Sequence, residues 1–302
     1  MRPTYAHTGA GSWIANVRLV LGPLRAIACG SLLLCGAACS APAAPSHAPP
    51  SQRRIVALVP SLVEDLCAIG GGPQLVGTSA FTDDVPCTKG VPVVGDSFSV
   101  DAEKVVSLHP DLVLAIPAQQ RSIEPLRRAG IRVAILRDDV FANIFTDIAT
   151  IGALTGRDAA ARALVRALAR RTAALRATIP ANGRRPTVFV ALGTSPIYTV
   201  GPQSYIARLI ALAGASDAVT SLPGAYGSYS AEALVTLQPD AIVTDAATRL
   251  STVLGTQPWR SLRAVRDRRI FTLTDTALLE RPGPRYNQGL QWLIERLAPL
   301  RR

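Results

Sequence analysis

Only three histidines occur among the 302 residues, His7, His47 and His109, and the first two lie in an N-terminal stretch that cannot pack a core. A single histidine is left for the folded body. A Ser/His/Asp triad would have to use His109, and a zinc site built from several histidines is excluded. No acid-base cluster replaces them, so the sequence does not read as an enzyme, and no catalytic residue, metal or cofactor is expected. Gly70-Gly71-Gly72 could suggest a phosphate loop, but it follows a helical pattern, whereas a phosphate loop leads from a strand into a helix; it reads as a helix C-cap. The chemistry that does stand out is a pair of glutamates. Ala102-Glu-Lys-Val-Val-Ser-Leu-His-Pro-Asp111 aligns without a gap on Ala231-Glu-Ala-Leu-Val-Thr-Leu-Gln-Pro-Asp240, so Glu103 and Glu232 occupy equivalent places in the first turns of two helices. Each could simply complement its helix dipole for some tenths of a kcal/mol. As a pair they would also match a partner presenting two equivalent cationic pockets.

The elements that must carry these residues alternate. Ile55 to Val59, Leu75 to Thr78, Leu112 to Ile116 and Val133 to Leu136 are short apolar runs typical of buried strands, with helical stretches between them, one at Ile123 to Ala129 and one opened by Ser61. Arg157 to Ile179 is alanine-rich and carries its leucines at helical spacing, which predicts one long helix. Beyond Pro180 the alternation resumes with Val188 to Leu192, a helix near Ser204 to Ala213, Ile242-Val243 and Ile270 to Leu273. The expected fold is α/β: two Rossmann-like lobes with parallel-sheet cores, joined by one long α-helix. The organisation follows as a signal peptide at 1–39, a flexible tether at 40–52, an N-terminal α/β lobe at 53–156, an interlobe helix at 157–180 and a C-terminal lobe at 181–302.

The first segment has arginines early, an apolar stretch late and small residues before Cys39, the layout of an export signal. Gly36-Ala37-Ala38-Cys39 resembles a bacterial lipobox in which Cys39 would be lipidated; cleavage by an ordinary signal peptidase and retention as a membrane anchor are the other readings. The following SAPAAPSHAPPSQ suits a tether. Export puts Cys67 and Cys87 in an oxidising compartment, where they form either a disulfide or two buried thiols. The net charge is +11, yet arginines are scattered, lysine occurs only at Lys89 and Lys104, and no basic helix is interleaved with aromatics. That is a solvated basic surface, not a nucleic-acid interface.

Taken in order, RRIVALVPSLVEDLCAIG, VPVVGDSFSVDAEKVVSLHPDLVLA, YTVGPQSYIARLIALAGA, YSAEALVTLQPDAIVTD, QPWRSLRAVRDRRIFTLT and ERPGPR resemble segments of the helix-linked solute-binding proteins of ABC transporters, the class that carries cobalamin, haem or ferric siderophores. The similarity covers about residues 53 to 299 and is strongest to the cobalamin-binding members. It implies a bound corrinoid, cobalamin first among them, delivered to a dimeric permease by a monomeric binding protein held at the membrane through its lipid anchor. It also implies a ligand between the lobes, touched by Ser61, Phe81, Tyr198, Tyr226, Asp275 and Arg281. Tyr229 joins this set because it shares the glycine- and serine-rich Gly224 to Ser230 segment with Tyr226. Packing at strand ends would equally explain Phe81 and Tyr198, and Asp275 and Arg281 could pair with each other or with Glu280. Tryptophans common around the ligand in cobalamin-binding relatives are replaced here by Ser97, Ile116 and Tyr226, which keeps haem and ferric siderophores as alternatives. Glu103 and Glu232 become, on the same resemblance, the residues that dock on the permease. A rigid connecting helix also implies lobes that hinge little.

Overall fold

The computed structural model describes residues 53–137 and 140–301. The signal segment, the tether and Cys39 lie outside them. The first lobe is a four-stranded parallel sheet made of β1 (Ile55–Ala57), β2 (Leu75–Gly77), β3 (Leu112–Ala115) and β4 (Val133–Ile135), in the order β2-β1-β3-β4. The crossovers contain α1 (Pro60–Ala68), α2 (Ala102–Ser107) and α3 (Glu124–Arg128). Every residue of β1 and β3 is buried, as expected for central strands covered on both faces. Helix α1 begins at Pro60, whose fixed φ suits a first helical position, so Ser61 lies inside the first turn and is not the cap; Val59 holds that place without a side-chain bond. At its far end Gly70 adopts φ +79°, and the Gly71 amide donates to the Leu66 carbonyl, closing the helix with a residue that carries no Cβ penalty. Cys67 and Cys87 are joined by a disulfide with Cα atoms 6.1 Å apart across 20 positions, which for a loop of that length contributes about 3 kcal/mol.

Helices α4 (Asn143–Thr155) and α5 (Asp158–Ala177) form an antiparallel pair leading to the second lobe. At 20 residues α5 is the longest described helix, starting and stopping within two residues of the sequence expectation. The second sheet comprises β5 (Thr187–Ala191), β8 (Ser216–Asp217), β10 (Ala241–Asp245) and β11 (Ile270–Leu273), all parallel in the order β11-β10-β5-β8. It is the first sheet repeated strand for strand. An antiparallel ribbon is added to it: β6 (Gly193–Thr194), β7 (Ile197–Val200) and β9 (Tyr226–Ser228). The remaining helices are α6 (Tyr205–Leu212), α7 (Ala231–Leu237), α8 (Arg263–Arg266), α9 (Ala277–Glu280) and α10 (Tyr286–Leu297).

The internal repeat acquires a physical meaning in this frame. Asp101 and Ser230 cap α2 and α7 by accepting from the amides of Lys104 and Ala233. His109 and Gln238, equivalent in the repeat, both adopt left-handed backbone, with φ of 47° and 43°. Asp111 and Asp240 then accept from the backbone amides of Arg54 and Thr187 at the starts of β1 and β5. Each copy thus fastens the end of a helix to the neighbouring strand of its own sheet.

One apolar core runs through both lobes. Leu62 and Leu66 of α1 and Ile148 and Ile151 of α4 belong to the same buried cluster as Leu175 of α5, Ile206 of α6 and Leu290 of α10. An aromatic group packs against it: partly buried Phe141 stacks on Tyr205 at 6.3 Å and meets the edge of Tyr286 at 4.9 Å, while Phe145 lies 6.0 Å from Tyr286. The Tyr286 hydroxyl is 2.6 Å from Thr172 Oγ1 on α5. The connection between lobes is therefore a helical pair packed into a common core, broader than the lone crossing helix read from the sequence.

Candidate functional site

Ligands of doubly wound sheets lie beyond the carboxyl ends of the strands, and here those ends from the two lobes face one another. A cavity of about 430 Å³ is lined by Val59, Pro60 and Ser61 after β1, Phe81 after β2, Ser97, Ala247 after β10, and Thr276, Ala277 and Glu280 to Pro282 after β11. It brings together Ser61, Phe81 and Arg281, and adds Ser97. Phe81 is 76% exposed and holds a left-handed φ of 61°, a costly conformation for a bulky residue; its carbonyl accepts from Arg281 at 2.8 Å. Phe98, 88% exposed, sits on the Asp96 turn, where the Asp96 carboxylate accepts from the amides of Phe98 and Ser99. Fully buried Gln119 ties these pieces together: its amide nitrogen donates to the carbonyls of Leu58 and Asp96, and its oxygen accepts from the Ile116 amide.

Tyr198 and Tyr226 lie on the added ribbon. Tyr198 pairs with Ser228 and Tyr226 with Val200, so both rings project from the same face, and each remains more than one-third exposed. Tyr229 has the opposite parity. Partly buried, it packs against Phe189 at the edge of the second lobe's core, ring centroids 5.9 Å apart, and so faces away from Tyr198 and Tyr226. The Tyr205 hydroxyl is pushed well above the usual tyrosine range, first by burial and then by Tyr226, Glu64 and Tyr286.

Arg281 and Asp275 do not pair with each other. Arg281 reaches across to Glu64 of α1 and to Asp84, the latter at 3.2 Å. Arg285 also contacts Glu64 at 2.9 Å and Asp84 at 2.6 Å, and takes Asp275 at 3.2 Å. Burial opposes the charge on Arg285, but Glu64, Asp275 and Asp84 together raise its pKa. Three carboxylates thus occupy both guanidinium groups, Arg281 being also a residue of the cavity wall. A fourth carboxyl completes the wall: the Glu280 pKa is raised to about 7 by burial, by a shared hydrogen bond with Asp245 and by the charge of Asp245. Asp245 is itself buried, fixed by the Thr248 amide and hydroxyl. Gly289 lets this segment approach, since a Cβ there would stand 2.0 Å from the Leu278 carbonyl of α9. Glu64, Asp84, Arg285 and Gln119 were not legible as site residues, because partners that place them lie far away in the chain, and Phe98 was not because nothing local marks an exposed ring. Glu64 alone left a sign, a charged residue within the apolar run of α1.

Glu103 and Glu232 are both exposed, each at the second position of its helix. Glu232 borders a shallow cavity with Thr236, Gln257 and Pro258.

Two like α/β lobes with a cleft at their strand ends are the architecture of a two-lobed solute-binding protein. The chain belongs to the periplasmic binding protein family, whose profile matches residues 55–277. It is 31% identical over 255 residues to the uncharacterised ABC transporter substrate-binding lipoprotein YvrC of Bacillus subtilis, covering 82% of this chain and 80% of that one. It is 26% identical over 215 residues to a vitamin B12-binding protein of Pectobacterium carotovorum, covering 70% and 74%. Among solved structures, the periplasmic heme-binding protein RhuT from Roseiflexus in apo form superposes with a TM-score of 0.74 at 25% identity, over 83% of this chain and all of that one. The chain is accordingly an extracytoplasmic solute-binding protein that works with a membrane permease, and not an enzyme. No described helix is long and apolar enough to cross a membrane.

Proposed function

We propose that the protein captures a corrinoid, cobalamin in particular, in the cleft and passes it to an ABC importer. The observation that carries this reading is that the arginine lining the cleft, Arg281, is already held by Glu64 and Asp84, and its neighbour Arg285 by Glu64, Asp84 and Asp275. A ligand fringed with carboxylates needs an available guanidinium, whereas an amide-fringed macrocycle needs flat apolar surface and neutral hydrogen-bonding groups. Phe81, Phe98, Tyr198 and Tyr226 supply exposed rings, Ser61 and Ser97 supply hydroxyls at the cavity wall, and Asp275 serves by orienting Arg285. The vitamin B12-binding relative supports the same assignment. Haem is the second reading, favoured by Tyr198 and Tyr226 as axial ligands and by the heme-binding structural relative.

In this reading Glu103 and Glu232 dock on the two subunits of a dimeric permease, and Cys39 carries the lipid that keeps a monomeric protein at the membrane. Purified protein is incubated separately with cyanocobalamin, haemin and a ferric siderophore, desalted, and its absorption spectrum recorded. The expected result is a retained corrinoid spectrum at one equivalent. Retention of haemin or the ferric chelate with no retained corrinoid would overturn the assignment.

A further inference from the structure

We infer that the pole of the second lobe opposite the cleft holds a site for the oxyanion of a phosphoryl group. A cavity of about 290 Å³ lies there, lined by Arg176 beside the end of α5, Arg184 and Arg185 just before β5, Arg301, and the turns at Pro180 and Gly214. These residues stand at the entry ends of β5 and β8, whereas the ligand cleft stands at the exit ends of the strands. No carboxylate lines the cavity among the described residues.

Arg301 is the clearest sign of missing negative charge. It is only 6% exposed, and its guanidinium donates to the carbonyls of Ile294 and Ala213, while its Nε is buried without a partner. Burial lowers its pKa, as expected for a cation with no acid beside it. The ends of α5, α6 and α10 converge here and supply partial negative charge, about half a unit each. Arg184 is drawn to Asp240, which also holds Arg263. With Arg184 set aside as neutralised, Arg176, Arg185 and Arg301 still exceed the helix ends by more than a full positive charge. Helix capping accounts for part of the cluster and leaves the excess. Arg176 and Arg185 are exposed at the rim, where their planar forks can each take two oxygens of one phosphoryl group, the geometry that distinguishes phosphate from chloride.

The test uses the whole chain. Pyrophosphate binding is followed by phosphorus NMR line broadening with chloride matched for ionic strength, beside sedimentation with phosphatidylglycerol or phosphatidylcholine vesicles. Saturable pyrophosphate binding that chloride does not displace, weakened about tenfold or more in R176Q/R185Q, is the expected result. Retention on phosphatidylglycerol alone, lost in the same variant, would place the same chemistry on a lipid headgroup. Binding to neither probe, or binding unchanged in R176Q/R185Q, overturns the inference. Should that variant fail to fold, protection of Arg176 and Arg185 from phenylglyoxal by pyrophosphate, mapped by mass spectrometry, decides the same question, and absence of protection overturns it.

Discussion

Replacing Arg281 with methionine keeps an apolar stem at the cavity wall and removes the guanidinium that reaches Glu64 and Asp84. The Glu64 side chain is 4% exposed and that of Arg281 12%, so the pair is largely shielded from water. Taking one partner from a buried pair costs about 3–5 kcal/mol when nothing compensates. Here Arg285 stays 2.9 Å from the same Glu64 oxygen and retains part of the attraction. Arg281→Met should therefore lose about 2 kcal/mol, or about 4–8 °C in Tm for a folded body of this size. Glu64→Gln removes the charge that Arg281 answers, so the double variant should fall short of additivity by about 2 kcal/mol. Urea unfolding of the four proteins at neutral pH gives the cycle, and calorimetric titration with cyanocobalamin gives the affinities. A coupling below about 0.5 kcal/mol, together with a large loss of affinity in folded Arg281→Met, would show that the guanidinium belongs to the ligand and that the reasoning is wrong.

The aromatic face is tested by Tyr198→Ala and Tyr226→Ala, each expected to weaken corrinoid binding by about 1 kcal/mol or more while the thermal midpoint is kept; unchanged affinity in both would move the site. Because Glu280 titrates near 7 in the folded protein against an ordinary carboxyl value in the unfolded chain, the native state binds the extra proton between these values. Its contribution to stability is present at acid pH and lost as pH rises through about 7. Glu280→Gln should flatten that loss, seen as a gain over the parent at pH 8 relative to pH 5 in chemical unfolding. Glu103→Lys with Glu232→Lys should leave corrinoid affinity intact and abolish transporter-dependent uptake, single reversals being intermediate, with thermal unfolding recorded because a cation at each helix start costs up to about 1 kcal/mol. Small-angle scattering with and without ligand should differ little, since a common core joins the lobes; a large compaction would refute this.

The scaffold was legible because it rests on local signals. Continuous apolar runs announced the parallel strands, alanine and leucine spacing announced α5 to within two residues at each end, and the repeated decapeptide revealed two lobes. The ribbon of β6, β7 and β9 was not read, since its strands are short and 25 residues lie between the end of β7 and the start of β9. The site was legible only in part. Ser61, Phe81 and Arg281 do meet at one cavity, but the partners of Arg281 are 197 and 217 positions away, beyond any periodicity. Tyr229 failed for a simple reason: three residues from Tyr226 it points to the other face of the strand, toward Phe189.

The apolar core that spans both lobes makes the molecule a calliper with fixed jaws. Glu103 and Glu232 ride on helices anchored through Asp111 and Asp240 to sheets that cannot slide past one another without tearing that core. If the lobes hinge as little as the shared core predicts, their spacing should stay nearly the same whether the cleft is filled or empty. On the proposed docking, an importer that gripped both points would meet a gauge of near-constant width, and the work of parting the lobes would come from the importer's own motion and not from strain stored in the carrier.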